Sequence, residues 1–93
     1  MRRALRSTRR QVPHERLGDY AAVWARVRDA VTGAGGHAWL FRSADRPDEY
    51  IEFIESRDLG RILALPAVAG ALAALDEGFG AGIQESWEEA ILP

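Results

Sequence analysis

The chain contains no cysteine, so neither a disulfide framework nor a thiolate metal site can hold it together. It contains no lysine either; all 12 of its basic residues are arginine. Arginine is the better side chain for buried or two-pronged pairing with carboxylates. No apolar run approaches the roughly 20 residues that cross a bilayer, and no apolar stretch follows the early arginines as it would in a secretory leader. No membrane association is expected, and the cytoplasm is the expected location. At 93 residues the chain has room for one domain, read as residues 1–93, and such a domain buries only about 60–65% of its unfolded surface. With 47% hydrophobic and 28% charged residues, a disordered or fibrous chain is excluded.

Charge is unevenly distributed. Residues 1–16 hold six arginines against Glu15 alone, a local charge of +5, whereas the remainder carries −7. Such asymmetry can mark a nucleic-acid arm. The sequence pI of about 5.6 argues against that reading, because a nucleic-acid-binding domain is expected near or above about 9. The alternative is that the basic and acidic ends meet within the fold, and no nucleic-acid partner is expected.

Along the chain, strand and helix patterns alternate. Residues 4–12 lack glycine and proline and stop at Pro13, as a strand would. From Leu17 the period changes: Leu17, Tyr20, Ala21, Trp24, Val27 and Val31 form one helical stripe, with Asp19 in the first turn. Gly33-Ala-Gly-Gly36 ends that helix; it follows a helix and lacks the Lys and Ser/Thr of a phosphate loop. Residues 37–43 and 49–55, rich in aromatic and β-branched side chains around a Ser-Ala-Asp-Arg-Pro-Asp turn, predict a hairpin. Pro66 divides the next region into a short helix at 58–64 and a longer one to about Glu77. Gly78, Gly80 and Gly82 loosen the chain before a last segment, 83–92, which is read as a strand because βαββα lacks one strand for closure.

The order β-α-β-β-α-β is the split βαβ, or ferredoxin-like, arrangement: α+β, with a four-stranded antiparallel sheet. Its first strand lies between the third and fourth, so the arginines of 4–12 should meet Glu52 and Glu55 on one side and Glu85, Glu88 and Glu89 on the other. Both faces of the hairpin are apolar, since Trp39 and Phe41 alternate with Ala38 and Leu40. A sheet face meeting water should be polar. A second copy of the same sheet is the expected cover, giving a homodimer.

The Tyr20–Trp24 helix, the 37–43/50–55 hairpin and the helix interrupted by Pro66 resemble the dimeric α/β-barrel superfamily, which includes antibiotic-biosynthesis-monooxygenase-like and stress-responsive barrel proteins. The resemblance implies two sheets paired face to face, with a pocket between sheet and helices in each subunit. Its members range from cofactor-independent oxygenases and haem enzymes to isomerases and proteins without known activity, so the fold leaves function open.

Candidate chemistry rests on few residues. His14, at the end of the first strand, and His37, opening the second, are candidate acid/base groups, but neither has a partner at metal-ligand spacing. No metal or cofactor is expected. Glu52 shares a face with Tyr50 and Ile54 and is either a pocket acid or half of a buried ion pair with Arg6 or Arg10. Trp24, Trp39 and Trp87 are read first as core or dimer seam, and Trp24, Trp39 and Tyr50 are the candidate walls for an organic ligand. The expected role is that of a small dimeric protein that binds a small aromatic or polyketide-like molecule or acts as an accessory protein. The alternatives are a cofactor-independent monooxygenase and a nucleic-acid-binding ferredoxin-like domain.

Overall fold

Antiparallel pairing organises the computed structural model, which describes residues 2–93. Four strands, β1 (Ala4–Gln11), β2 (His37–Arg42), β3 (Glu49–Ser56) and β4 (Ile83–Glu88), form one sheet in the order β2-β3-β1-β4. Helices α1 (Leu17–Gly33), α2 (Leu59–Ala64) and α3 (Pro66–Phe79) complete the ferredoxin-like βαββαβ order. A single 3-10 turn, His14–Arg16, which the periodicity does not reveal, leads into α1.

The helical stripe is realised as Tyr20, Trp24, Val27 and Val31, all buried; Ala21 faces solvent and Leu17 is half-buried. These residues meet Val68, Ala71, Leu72 and Leu75 of α3, so that the two long helices pack on each other and on the sheet. Pro66 occupies the first turn of α3, where its missing N–H costs nothing. Val12, Ile54 and Ile62 complete the core.

Register sorts the strand residues into two faces. Towards the helices lie Ala38, Ile54 and Arg6 in one row, Leu40, Glu52 and Thr8 in the next, and Arg42, Tyr50 and Arg10 in the third. The opposite, open face carries the rows His37-Glu55-Leu5-Trp87, Trp39-Phe53-Ser7-Glu85 and Phe41-Ile51-Arg9-Ile83.

Two expectations need correction. The last strand stops at Glu88, not 92, because β1 begins at Ala4 and the final backbone bond is Glu89 N–H to the Arg3 carbonyl at 2.8 Å. The arginines of β1 also do not stand opposite acids. Arg6 faces Ile54 and Ser86, Arg9 faces Ile51 and Ile83, and Arg10 faces Tyr50. Glu55, Glu85 and Glu88 stand opposite Leu5, Ser7 and Ala4 instead. Within this segment, among the described residues, Arg10 on a diagonal and Arg3 beyond the strand end are the arginines that reach carboxylates.

Candidate functional site

Two places gather chemically capable side chains, one on each face of the sheet. Beneath the helices, Glu52 and Arg10 lie on adjacent strands with side chains 2% and 0% exposed. A buried charge is costly unless paired, and here all three donor nitrogens of Arg10 and one carboxylate oxygen of Glu52 have partners. Arg10 Nε donates to Glu52 Oε2 at 2.8 Å, Nη2 donates to Asp76 Oδ1 at 2.9 Å, and Nη1 donates to the carbonyl of Gly80. The Tyr20 hydroxyl donates to the same Glu52 oxygen at 2.5 Å. Arg6, the other partner considered for Glu52, takes no part in this cluster and has a buried Nε without a hydrogen-bond partner.

The electrostatics follow from the geometry. Burial pushes the Tyr20 phenol far above the ordinary tyrosine range, and the adjacent Glu52 charge pushes it further. Burial opposes the charge on Arg10, but Glu52 and Asp76 outweigh it and raise its pKa. Tyr20 is therefore neutral and Arg10 charged throughout the ordinary pH range. The ring of Tyr20 is fixed by Tyr50 and Phe79, at centroid distances of 5.6 and 5.2 Å. Glu52 is thus buried, with its Oε2 accepting from both Arg10 and Tyr20.

The second place is the open face. There Trp39 and Trp87 are 44% and 50% exposed, and Phe41 and Ile83 are exposed beside them. Leu5, Trp39 and Trp87 wall a cleft of ≈ 290 Å³ with Glu55 at its edge. Trp87 is anchored by its indole N–H, which donates to Ser7 Oγ at 3.1 Å. The His37 ring stacks on Trp39 at 5.7 Å between centroids, and its Nδ1 lies 2.8 Å from Glu55 Oε2. At the edge of the sheet beside the β2–β3 turn, a cleft of ≈ 330 Å³ is lined by Arg9 and Glu49 from the open face, Arg42 and Tyr50 from the helix side, and Arg46 from the turn.

The residues singled out from the sequence are thus dispersed. His14 sits exposed in the 3-10 turn; His37 is on the open face; Glu52 is under the helices. Trp24 is in the core, Trp39 on the open face, and Tyr50 half-buried where the two faces meet the arginine cleft. Sequence reading missed Asp76 and Gly80 as partners of Arg10, and nothing in the sequence pairs residues so far apart. Tyr20 was legible only as part of an apolar stripe. Among the described residues no group of three or more His, Asp or Glu is arranged to hold a metal ion. No helix is long and apolar enough to cross a membrane.

This fold is shared with solved structures of antibiotic-biosynthesis-monooxygenase-like proteins. A candidate antibiotic biosynthesis monooxygenase from Deinococcus radiodurans aligns over 97% of this chain and 95% of its own, with a TM-score of 0.75 and 16% identity. SnoaB, a cofactor-independent oxygenase from Streptomyces nogalater, aligns over 100% of this chain and 96% of its own, at a TM-score of 0.73 and 19% identity. A conserved protein from Methanosarcina mazei Go1 aligns over 96% and 92%, at 0.75 and 13%. No protein-family model matches the sequence, and no curated protein matches it significantly.

Proposed function

We propose that the chain acts as a homodimer that pairs two open sheet faces and binds a small, flat aromatic molecule, polyketide-like in kind, in the cleft between Trp39 and Trp87. The observation that carries this reading is the open face itself. Large apolar side chains from all four strands line a surface that no element among the described residues covers, and isolated monomers rarely leave such patches bare. A second copy is favoured as the cover because its own open face offers the same exposed Trp39, Phe41, Ile83 and Trp87 to pack against, as a two-fold interface requires. The space under the helices supports binding less well, being filled by Tyr20, Trp24, Arg10 and Glu52.

A cofactor-independent monooxygenase is the second reading, favoured by the shared fold with the oxygenase SnoaB. The two are separated by one experiment. Light scattering should give a dimer, and 1-naphthylmethanol should quench tryptophan fluorescence saturably. With 1-naphthol under air, an oxygen electrode should record no uptake above the buffer rate. A monomer without quenching overturns the binding reading, and oxygen uptake proportional to protein establishes the enzyme.

A further inference from the structure

The cleft between Trp39 and Trp87 has a polar neighbour. A cleft of ≈ 270 Å³ is lined by Arg3, Gly35, His37, Glu55, Ser56 and Arg57, and the two share Arg3 and Glu55. His37 and Glu55 stand opposite one another in the β2–β3 register, both on the open face. The Glu55 side chain is 11% exposed, and its Oε2 lies 2.8 Å from His37 Nδ1. The His37 ring also lies nearly parallel to Trp39, with 7° between the planes. Its position and its tilt are therefore both held.

This arrangement sets the chemistry of the ring. A carboxylate only accepts, so the Nδ1 that faces it carries the proton, and the lone pair of the neutral imidazole sits on Nε2. Nε2 has no hydrogen-bond partner among the described residues, and the side chain is 64% exposed, so water reaches it. A base held by an orienting carboxylate is what general-base catalysis needs. Arg57, in no ion pair among the described residues, brings a cation to the same cleft, where it favours developing negative charge. Ser56 Oγ already accepts the Asp58 N–H at 3.0 Å and belongs to the helix side of β3, which leaves water as the nucleophile.

We infer that His37 and Glu55 form an acid–base dyad that hydrolyses aryl esters. The ring of the ester lies against Leu5, Trp39 and Trp87, and its carbonyl lies in the polar cleft. His37 Nε2 takes a proton from water as the water oxygen attacks the carbonyl carbon, and Arg57 supports the oxyanion. The bond from that carbon to the aryl oxygen then breaks, and the imidazolium returns the proton to the leaving oxygen. Ester and water thus give a carboxylic acid and a phenol, and nothing is oxidised or reduced. Glu55 is a positioning residue that fixes the tautomer and offsets the charge on the ring. The inference rests on the reading of the aromatic cleft as the ligand site and adds a reaction to it.

The test uses the full chain with 1-naphthyl acetate at neutral pH, following release of 1-naphthol by absorbance. Hydrolysis should saturate with ester and exceed that by free imidazole at the same concentration at least about tenfold. His37→Gln should lower kcat about a hundredfold. Glu55→Gln should lower kcat several-fold with KM unchanged, a split that loosened packing does not produce. His14→Gln removes the other histidine and should change neither constant. Circular dichroism confirms each fold, and where Glu55→Gln does not fold, the exposed His37 position decides alone. A rate no greater than that of imidazole, or equal losses in His37→Gln and His14→Gln, overturns the dyad. Saturable binding of 1-naphthylmethanol in that case leaves the aromatic site standing. Absence of both hydrolysis and binding overturns both readings.

Discussion

Arg10 and Glu52 form a buried ion pair at 2.8 Å, held on a diagonal between two neighbouring strands. Glu52 Oε2 and the three donor nitrogens of Arg10 are matched, with partners drawn from other elements as well as the sheet: Tyr20 from α1, Asp76 from α3 and Gly80 from the turn after it. The cluster therefore ties the sheet to both long helices. Its energetic weight lies in completeness, because an unmatched buried charge costs more than the pair contributes.

Glu52→Gln is expected to destabilise the fold by about 3 kcal/mol, near the low end of the range for breaking a buried pair, because Asp76 still holds Arg10. For a domain of this size that lowers Tm by more than about 10 °C. Replacing both partners, as Arg10→Met with Glu52→Leu, should recover part of the loss. Thermal unfolding followed by circular dichroism measures both. An unchanged Tm in Glu52→Gln, together with lost ligand binding, makes Glu52 a binding residue instead.

Tyr20→Phe removes one hydrogen bond to a carboxylate and should cost about 1.5–3 kcal/mol, since the ring contacts with Tyr50 and Phe79 persist. The variant also changes the alkaline limb of stability. The folded chain holds the phenolic proton more tightly than the unfolded chain does, so this contribution is complete below about pH 10 and is lost as pH rises towards the folded pKa. Urea midpoints measured from pH 8 to 11 should fall in the native chain more steeply than in Tyr20→Phe.

Gly80 adopts φ 82° and ψ 163°, a region open essentially to glycine alone, at the point where its carbonyl receives Arg10. Gly82 has φ 66°, and a methyl group there would collide with the Arg9 carbonyl. Gly80→Ala should cost about 1–3 kcal/mol from backbone strain, and Gly82→Ala should cost more and loosen β4. Hydrogen exchange of the β4 amides distinguishes the second effect from the first.

Trp39→Glu places a charge in the centre of the proposed seam. Light scattering should show the dimer dissociating or the chain unfolding, whereas an intact dimer of unchanged stability would remove the open face from the interface.

The chain's local signals were enough for most of its elements and their order, whereas β4 was read from the need for a closing strand and the 3-10 turn was not visible. The spacing of Tyr20, Trp24, Val27 and Val31, the glycines after α1, the alternation through the hairpin and Pro66 each act within a few residues, where sequence is a direct record of the physics. That Glu52 would be buried with an arginine was also legible, because alternation fixes the face of every strand residue. Which arginine, and with what further partners, was decided only by the tertiary structure. Arg10 and Asp76 meet because the close of α3 returns the chain across the end of β1, a distance of 66 residues along the sequence. The three closing glycines looked like a loosening of the chain, yet two of them hold the fixed turn that aims a carbonyl at Arg10 and admits β4 against β1. The dispersal of Trp24, Trp39 and Tyr50 has the same origin. Periodicity tells which residues share a side of an element, but whether that side meets helices or is left open depends on how the layers stack.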